Sequence, residues 1–115
     1  MSDIHRLTEA MRQFSEERDW ARFHDPKSLT LALMGEVGEL AELLQWLPAA
    51  DLDARTREPT LNARLGEEMA DVLLYLLRLA DVAGVDFSEA TATKLQANIA
   101  RFSVAEHHGR GPSRE

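Results

Sequence analysis

Residues 65–83 read LGEEMADVLLYLLRLADVA, and this run decides the fold class. Val72, Leu73, Leu74, Leu76, Leu77 and Leu79 cover several faces of one helix, which therefore needs neighbours on more than one side. Thr60 or a neighbour opens this helix, and Gly84 ends it as a C′ residue after Ala83. Upstream, Pro48 to Pro59 is polar and reads as a loop. Before it, Asp25-Pro26 reads as N-cap and N1 proline of a helix that continues to about Leu47. The first helix spans about Ser2 to Asp19, with Ile4, Leu7, Met11 and Phe14 on one face and Ser2 as N-cap; Trp20 to Asp25 link it to the second. Downstream, Val85 to Ser88 turn the chain, Ser88 is the expected N-cap, and the fourth helix ends near Phe102. Four helices with short links predict an all-α, four-helix-bundle subunit that assembles through helix packing between chains. The domain spans residues 1–103, and 104–115 form a frayed, flexible tail.

The composition narrows the function. The chain has 115 residues, and thirteen Lys and Arg against twenty Asp and Glu give a net charge of −7. That balance argues against a protein that grips nucleic acid. With no cysteine, zinc-thiolate sites, disulfides and thiol nucleophiles are excluded. No secretory h-region follows Met1, and the longest apolar run, Val72 to Leu77, falls far short of the roughly 20 residues that span a bilayer. A soluble, cytoplasmic protein is expected. A chain this short buries only about two-thirds of its unfolded surface, which again favours association.

The acids on the second and third helices carry the chemistry. Glu36 and Glu39 are three apart, and so are Glu68 and Asp71, so each pair lies within about 60° of arc. With Glu36 at 0°, Leu29, Leu33, Val37, Leu40 and Leu44 fall at roughly 20° to 100°. With Glu68 at 0°, Leu61, Leu65 and Val72 fall at roughly 20° to 60°. Both acidic pairs thus sit beside a core stripe, and antiparallel packing can bring them together. Four converging carboxylates repel unless a cation sits among them. An oxygen-only set suits Mg²⁺ or Mn²⁺, which would bridge an acidic protein to a polyphosphate. None of His5, His24, His107 and His108 stands three after a Glu, so a di-iron site is not expected. Spacing alone leaves a plainer reading open, because Glu at i, i+3 is ordinary on a helix flank.

Gly35-Glu36-Val37-Gly38-Glu39-Leu40-Ala41-Glu42-Leu43, followed by Glu67-Glu68-Met69-Ala70-Asp71-Val72-Leu73-Leu74-Tyr75, resembles the all-α nucleoside triphosphate pyrophosphatases, the MazG-like superfamily. Within it, FSEERDW at 14–20, Phe23-His24, Gln45-Trp46 and Lys94 to Phe102 make the chain most similar to the dCTP pyrophosphatase group. The likeness covers roughly residues 4 to 103. It implies Mg²⁺-dependent hydrolysis of a nucleoside triphosphate, dCTP or a modified dCTP, to monophosphate and pyrophosphate. By position it makes Glu36, Glu39, Glu68 and Asp71 the catalytic metal ligands. It places Trp20, Trp46 and Tyr75 around the nucleoside, and His24, Lys94, Asn98 and Arg101 among the substrate contacts. It further implies a homotetramer built as paired dimers and a housecleaning role on deoxynucleotides. Met11 departs from the pattern, standing where the dCTP-binding relatives carry a His that faces the nucleotide.

Helical geometry agrees in part. Trp46 lies two turns past Glu39 on nearly the same azimuth, and Tyr75 follows Asp71 by one turn. Lys94, Asn98 and Arg101 share one face within roughly 60°, although spacing alone favours a solvated basic face there. One carboxylate not fully engaged by metal is expected to take a proton from the attacking water; the sequence does not single it out, and Glu39 is the first candidate. The competing reading is a non-catalytic helical module, for interaction or nucleotide binding, in which the acids give solubility and the tryptophans anchor an interface.

Overall fold

The computed structural model describes residues 2–111, and every regular element among them is helical. The long helices are α1 (Asp3–Glu17), α2 (Pro26–Leu44), α4 (Pro59–Ala83) and α5 (Phe87–Arg101), with single-turn helices α3 (Leu52–Arg55) and α6 (Val104–His107). Short 3₁₀ turns occupy Ala21–Phe23 and Ala49–Asp51. No helix among the described residues is long and apolar enough to cross a membrane.

Capping chemistry sets most boundaries. The Ser2 hydroxyl accepts from the His5 amide, and Asp25 accepts from the Ser28 amide with Pro26 in the first turn of α2. Gly84 closes α4 at φ 72°, the left-handed conformation that favours glycine, and the Val85 amide donates back to the Ala80 carbonyl at 2.8 Å. Three boundaries differ from the sequence-based expectation. α2 stops at Leu44, one turn before Pro48, because the Leu47 amide turns back to the Leu44 carbonyl at 3.0 Å. The N-cap of α5 is Asp86 rather than Ser88, since the Asp86 carboxylate accepts from the Glu89 amide, three residues on. The expected loop at 48–59 contains α3, tied down where Asn62 Nδ2 donates to the Thr56 carbonyl. Residues 104–107 of the expected tail make one helical turn, and 112–115 lie outside the described residues.

α2 and α4 form the main packed pair, running antiparallel, with Leu43 beside Leu61 at one end and Glu36 beside Glu68 further along. α1 lies antiparallel on α4, clamped where the Arg12 guanidinium donates to both Asp81 oxygens at 2.9 and 2.6 Å. Leu29, Leu77 and Ala80 are the buried apolar residues of this core. α5 stands mostly off that body and touches chiefly α1, where His5 Nε2 meets Asp86 at 3.5 Å. The bundle is consequently open within one chain. Its radius of gyration is 17.4 Å, against about 13 Å for a compact domain of this length. Met34, Met69, Leu31, Leu95 and Ile99 are all exposed. The all-round apolar α4 buries Leu77 inside the chain and leaves Met69 and Leu73 to solvent.

Candidate active site

The α2–α4 pair brings Glu36, Glu39 and Glu68 together, with a carboxylate oxygen from each lying within 4.8 Å of the others. Glu36 and Glu68 are half-buried and Glu39 is exposed. One oxygen of Glu36 and one of Glu68, Oε2 in both cases, is shut away from solvent with no hydrogen-bond partner. Burial, then the charges of Glu39 and Asp71, pushes the Glu36 carboxyl above its ordinary range. Glu68 is raised by burial first and then by contact with Glu39. Buried, unpartnered oxygens on two carboxylates of one cluster lack a positive charge. All three donors are oxygen, which fits a hard divalent cation. Asp71 is the fourth expected ligand. It is exposed and stands outside the trio, yet close enough for its charge to raise both half-buried glutamates.

Asp71 also lines a cavity of about 320 Å³, with Met11, Phe14, Trp20, His24, Leu74 and Tyr75. The turn after α1 builds one wall. Asp19 takes φ 53°, and the Trp20 amide donates to the Ser15 carbonyl at 2.9 Å, which folds the indole back onto Phe14. The two rings meet edge to face with centroids 5.6 Å apart. His24 is anchored from behind: Arg78 Nε donates to its Nδ1 at 3.0 Å, and Arg78 in turn donates to Asp81 at 3.1 Å. A cavity of this size, lined by an acid that neighbours the carboxylate cluster, can hold an aromatic ring whose charged substituent reaches the cluster.

Of the residues singled out from sequence, Glu36, Glu39, Glu68, Asp71, Trp20, His24 and Tyr75 thus gather in two adjoining places. The others do not. Trp46 lies beyond the end of α2 and is 84% exposed. Lys94 and Asn98 line a separate groove of about 350 Å³ on α5, with Phe87, Ala90, Thr91 and Leu95. Arg101 lays its guanidinium over the Phe102 ring, 4.8 Å from the centroid. Arg64 was missed, and Glu42, quoted above only as part of its motif, also stands here. Arg64 and Glu42 line a cleft of about 570 Å³ with Glu39, Leu43, Leu61 and Glu68, and the positive charge of Arg64 opposes the rise at Glu68. Arg64 stands one turn before Glu68 on α4, a spacing that carried the signal.

The chain is also similar to known proteins in sequence and in fold. The MazG nucleotide pyrophosphohydrolase domain matches residues 24–102. A dCTP pyrophosphatase 1 from Bos taurus is 44% identical over 111 residues, 96% of this chain and 63% of its own. The one from Homo sapiens is 43% identical over 115 residues, 100% of this chain and 65% of its own. The chain therefore spans a little under two-thirds of the length of these relatives. A crystal structure of a pyrophosphatase from Archaeoglobus fulgidus superposes with a TM-score of 0.80 at 34% identity, covering 90% of this chain and 94% of that one.

Proposed function

The chain belongs to the MazG nucleotide pyrophosphohydrolase family, and from that premise we propose that it hydrolyses a nucleoside triphosphate, dCTP or a modified dCTP, to the monophosphate and pyrophosphate. The observation that carries this reading is the position of Asp71, which borders both the carboxylate trio and the aromatic cavity. Trp20 and Tyr75 would hold the base, with His24 on the same wall. The triphosphate would extend towards Glu36, Glu39 and Glu68, and these acids with Asp71 would hold Mg²⁺, or Mn²⁺ in its place. Bound there, the metal supplies positive charge against the triphosphate and makes water more acidic. Glu39, the exposed member of the trio, takes the proton of the water that attacks the α-phosphorus. The new bond joins that oxygen to phosphorus, and pyrophosphate departs with the bridging oxygen.

Assembly belongs to the same reading. The exposed apolar residues of α2, α4 and α5, with the large radius of gyration, support packing between chains, and the family resemblance suggests a tetramer of paired dimers. In that arrangement α5 of a second copy would bring Lys94, Asn98 and Arg101 to the phosphates, and Trp46 would be covered. The enzyme would act on the deoxynucleotide pool of the cytoplasm in a housecleaning role. The 84% exposure of Trp46 also favours, on its own, an interaction module without turnover. Pyrophosphate release from a panel of dNTPs and NTPs, with Mg²⁺ or with EDTA, separates the two. Release that needs Mg²⁺ and disappears in Glu68→Gln is expected; silence across the panel overturns the enzyme reading.

A further inference from the structure

His24 faces the aromatic cavity with one ring nitrogen already spoken for. Its Nδ1 receives the Arg78 Nε–H at 3.0 Å, and a guanidinium donates but cannot accept. The nitrogen facing Arg78 must therefore present a lone pair. Arg78 is held in place to do this. It is 6% exposed, a second nitrogen donates to Asp81 at 3.1 Å, and Arg12 clamps Asp81 from the other side. A doubly protonated imidazole would set N–H against N–H and one cation against another. Burial first, and then the charge of Arg78, hold His24 below its ordinary pKa. Nε2 makes no hydrogen bond with any described residue.

We propose that Arg78 fixes His24 as a neutral imidazole protonated on Nε2, so that the cavity offers a hydrogen-bond donor and selects a base with an acceptor on the facing edge, such as a pyrimidine carbonyl oxygen. Arg78 is then a positioning residue acting through His24. The base-reading half rests on the nucleotide function proposed above; the tautomer half does not.

Long-range ¹H–¹⁵N correlation of the imidazoles in the wild-type protein decides the tautomer without ligand, with His24→Gln identifying the signals by their loss. At neutral pH, Nδ1 is expected to be unprotonated and Nε2 to carry the proton. A proton on Nδ1, or on both nitrogens, overturns the proposal. Addition of α,β-methylene dCTP with Mg²⁺ should then move the Nε2–H resonance downfield. Binding seen by calorimetry without that movement overturns the base contact. Failure of every nucleotide to bind overturns the base contact and the nucleotide function together, leaving the tautomer result intact. In Arg78→Met the tautomer preference should weaken and KM should rise about two- to tenfold, the worth of one hydrogen bond, by more than kcat falls. A KM unchanged in a folded Arg78→Met protein counts against the positioning role.

Discussion

The Glu68 carboxyl is raised above its ordinary value of 4.5 by burial and by contact with Glu39, and this sets its proposed metal-holding role against stability. An acid whose folded pKa is raised binds more protons folded than unfolded across the interval between the two values. Stability of the metal-free protein therefore falls as pH climbs through that interval, and Glu36 adds to the slope in the same sense. Glu68→Gln should melt higher than wild type at neutral pH without metal, by thermal denaturation, while losing pyrophosphate release about 100-fold or more. A variant that melts lower would show that its carboxylate is satisfied by the protein alone. The acids were legible in the sequence because helical arithmetic places residues three apart on one face, and both pairs flank apolar stripes. The Arg78–His24 contact was not, because its partners stand 54 positions apart and no periodicity relates them.

Among the elements, α5 combines a side-chain cap with few contacts to the rest of the chain. Asp86 accepts from the Glu89 amide at 3.1 Å and also meets His5, its main tie to α1. Asp86→Ala should lower the melting temperature and should speed hydrogen exchange in the first turn of α5 more than in α4. The Asp86 amide contacts, and after them His5, hold its pKa below the ordinary 3.8. That capping contribution is therefore present above about pH 4 and fades as pH falls through the lowered value. Asp25-Pro26 and Gly84 announced their boundaries because each residue type has one conformational use there. Ser88 and Asp86 both had capping chemistry, and the geometry of Glu89 three residues after Asp86 decided between them. The four residues of α3 are too few for a period to show.

For the molecule as a whole, the open bundle with Met34, Met69, Leu95 and Ile99 exposed makes the proposed assembly of several chains directly testable. Sedimentation should find an oligomer, and specific activity should fall on dilution as it dissociates; a fully active monomer would overturn the assembly. Mg²⁺ with a non-hydrolysable nucleotide should raise the melting temperature, by mass action worth about 2.7 kcal/mol at one hundred times Kd. The apolar circumference of α4 made the need for neighbours legible in the sequence. The distance of Lys94 and Asn98 from the carboxylates was not, because periodicity assigns residues to faces and says nothing of which helix meets which. That separation also has a genetic signature. Chains carrying Glu68→Gln and chains carrying Lys94→Ala with Asn98→Ala would each be inactive alone. Dissociated and reassembled together, they would exchange their sound halves, so that a mixture of two dead proteins regains turnover that neither possesses.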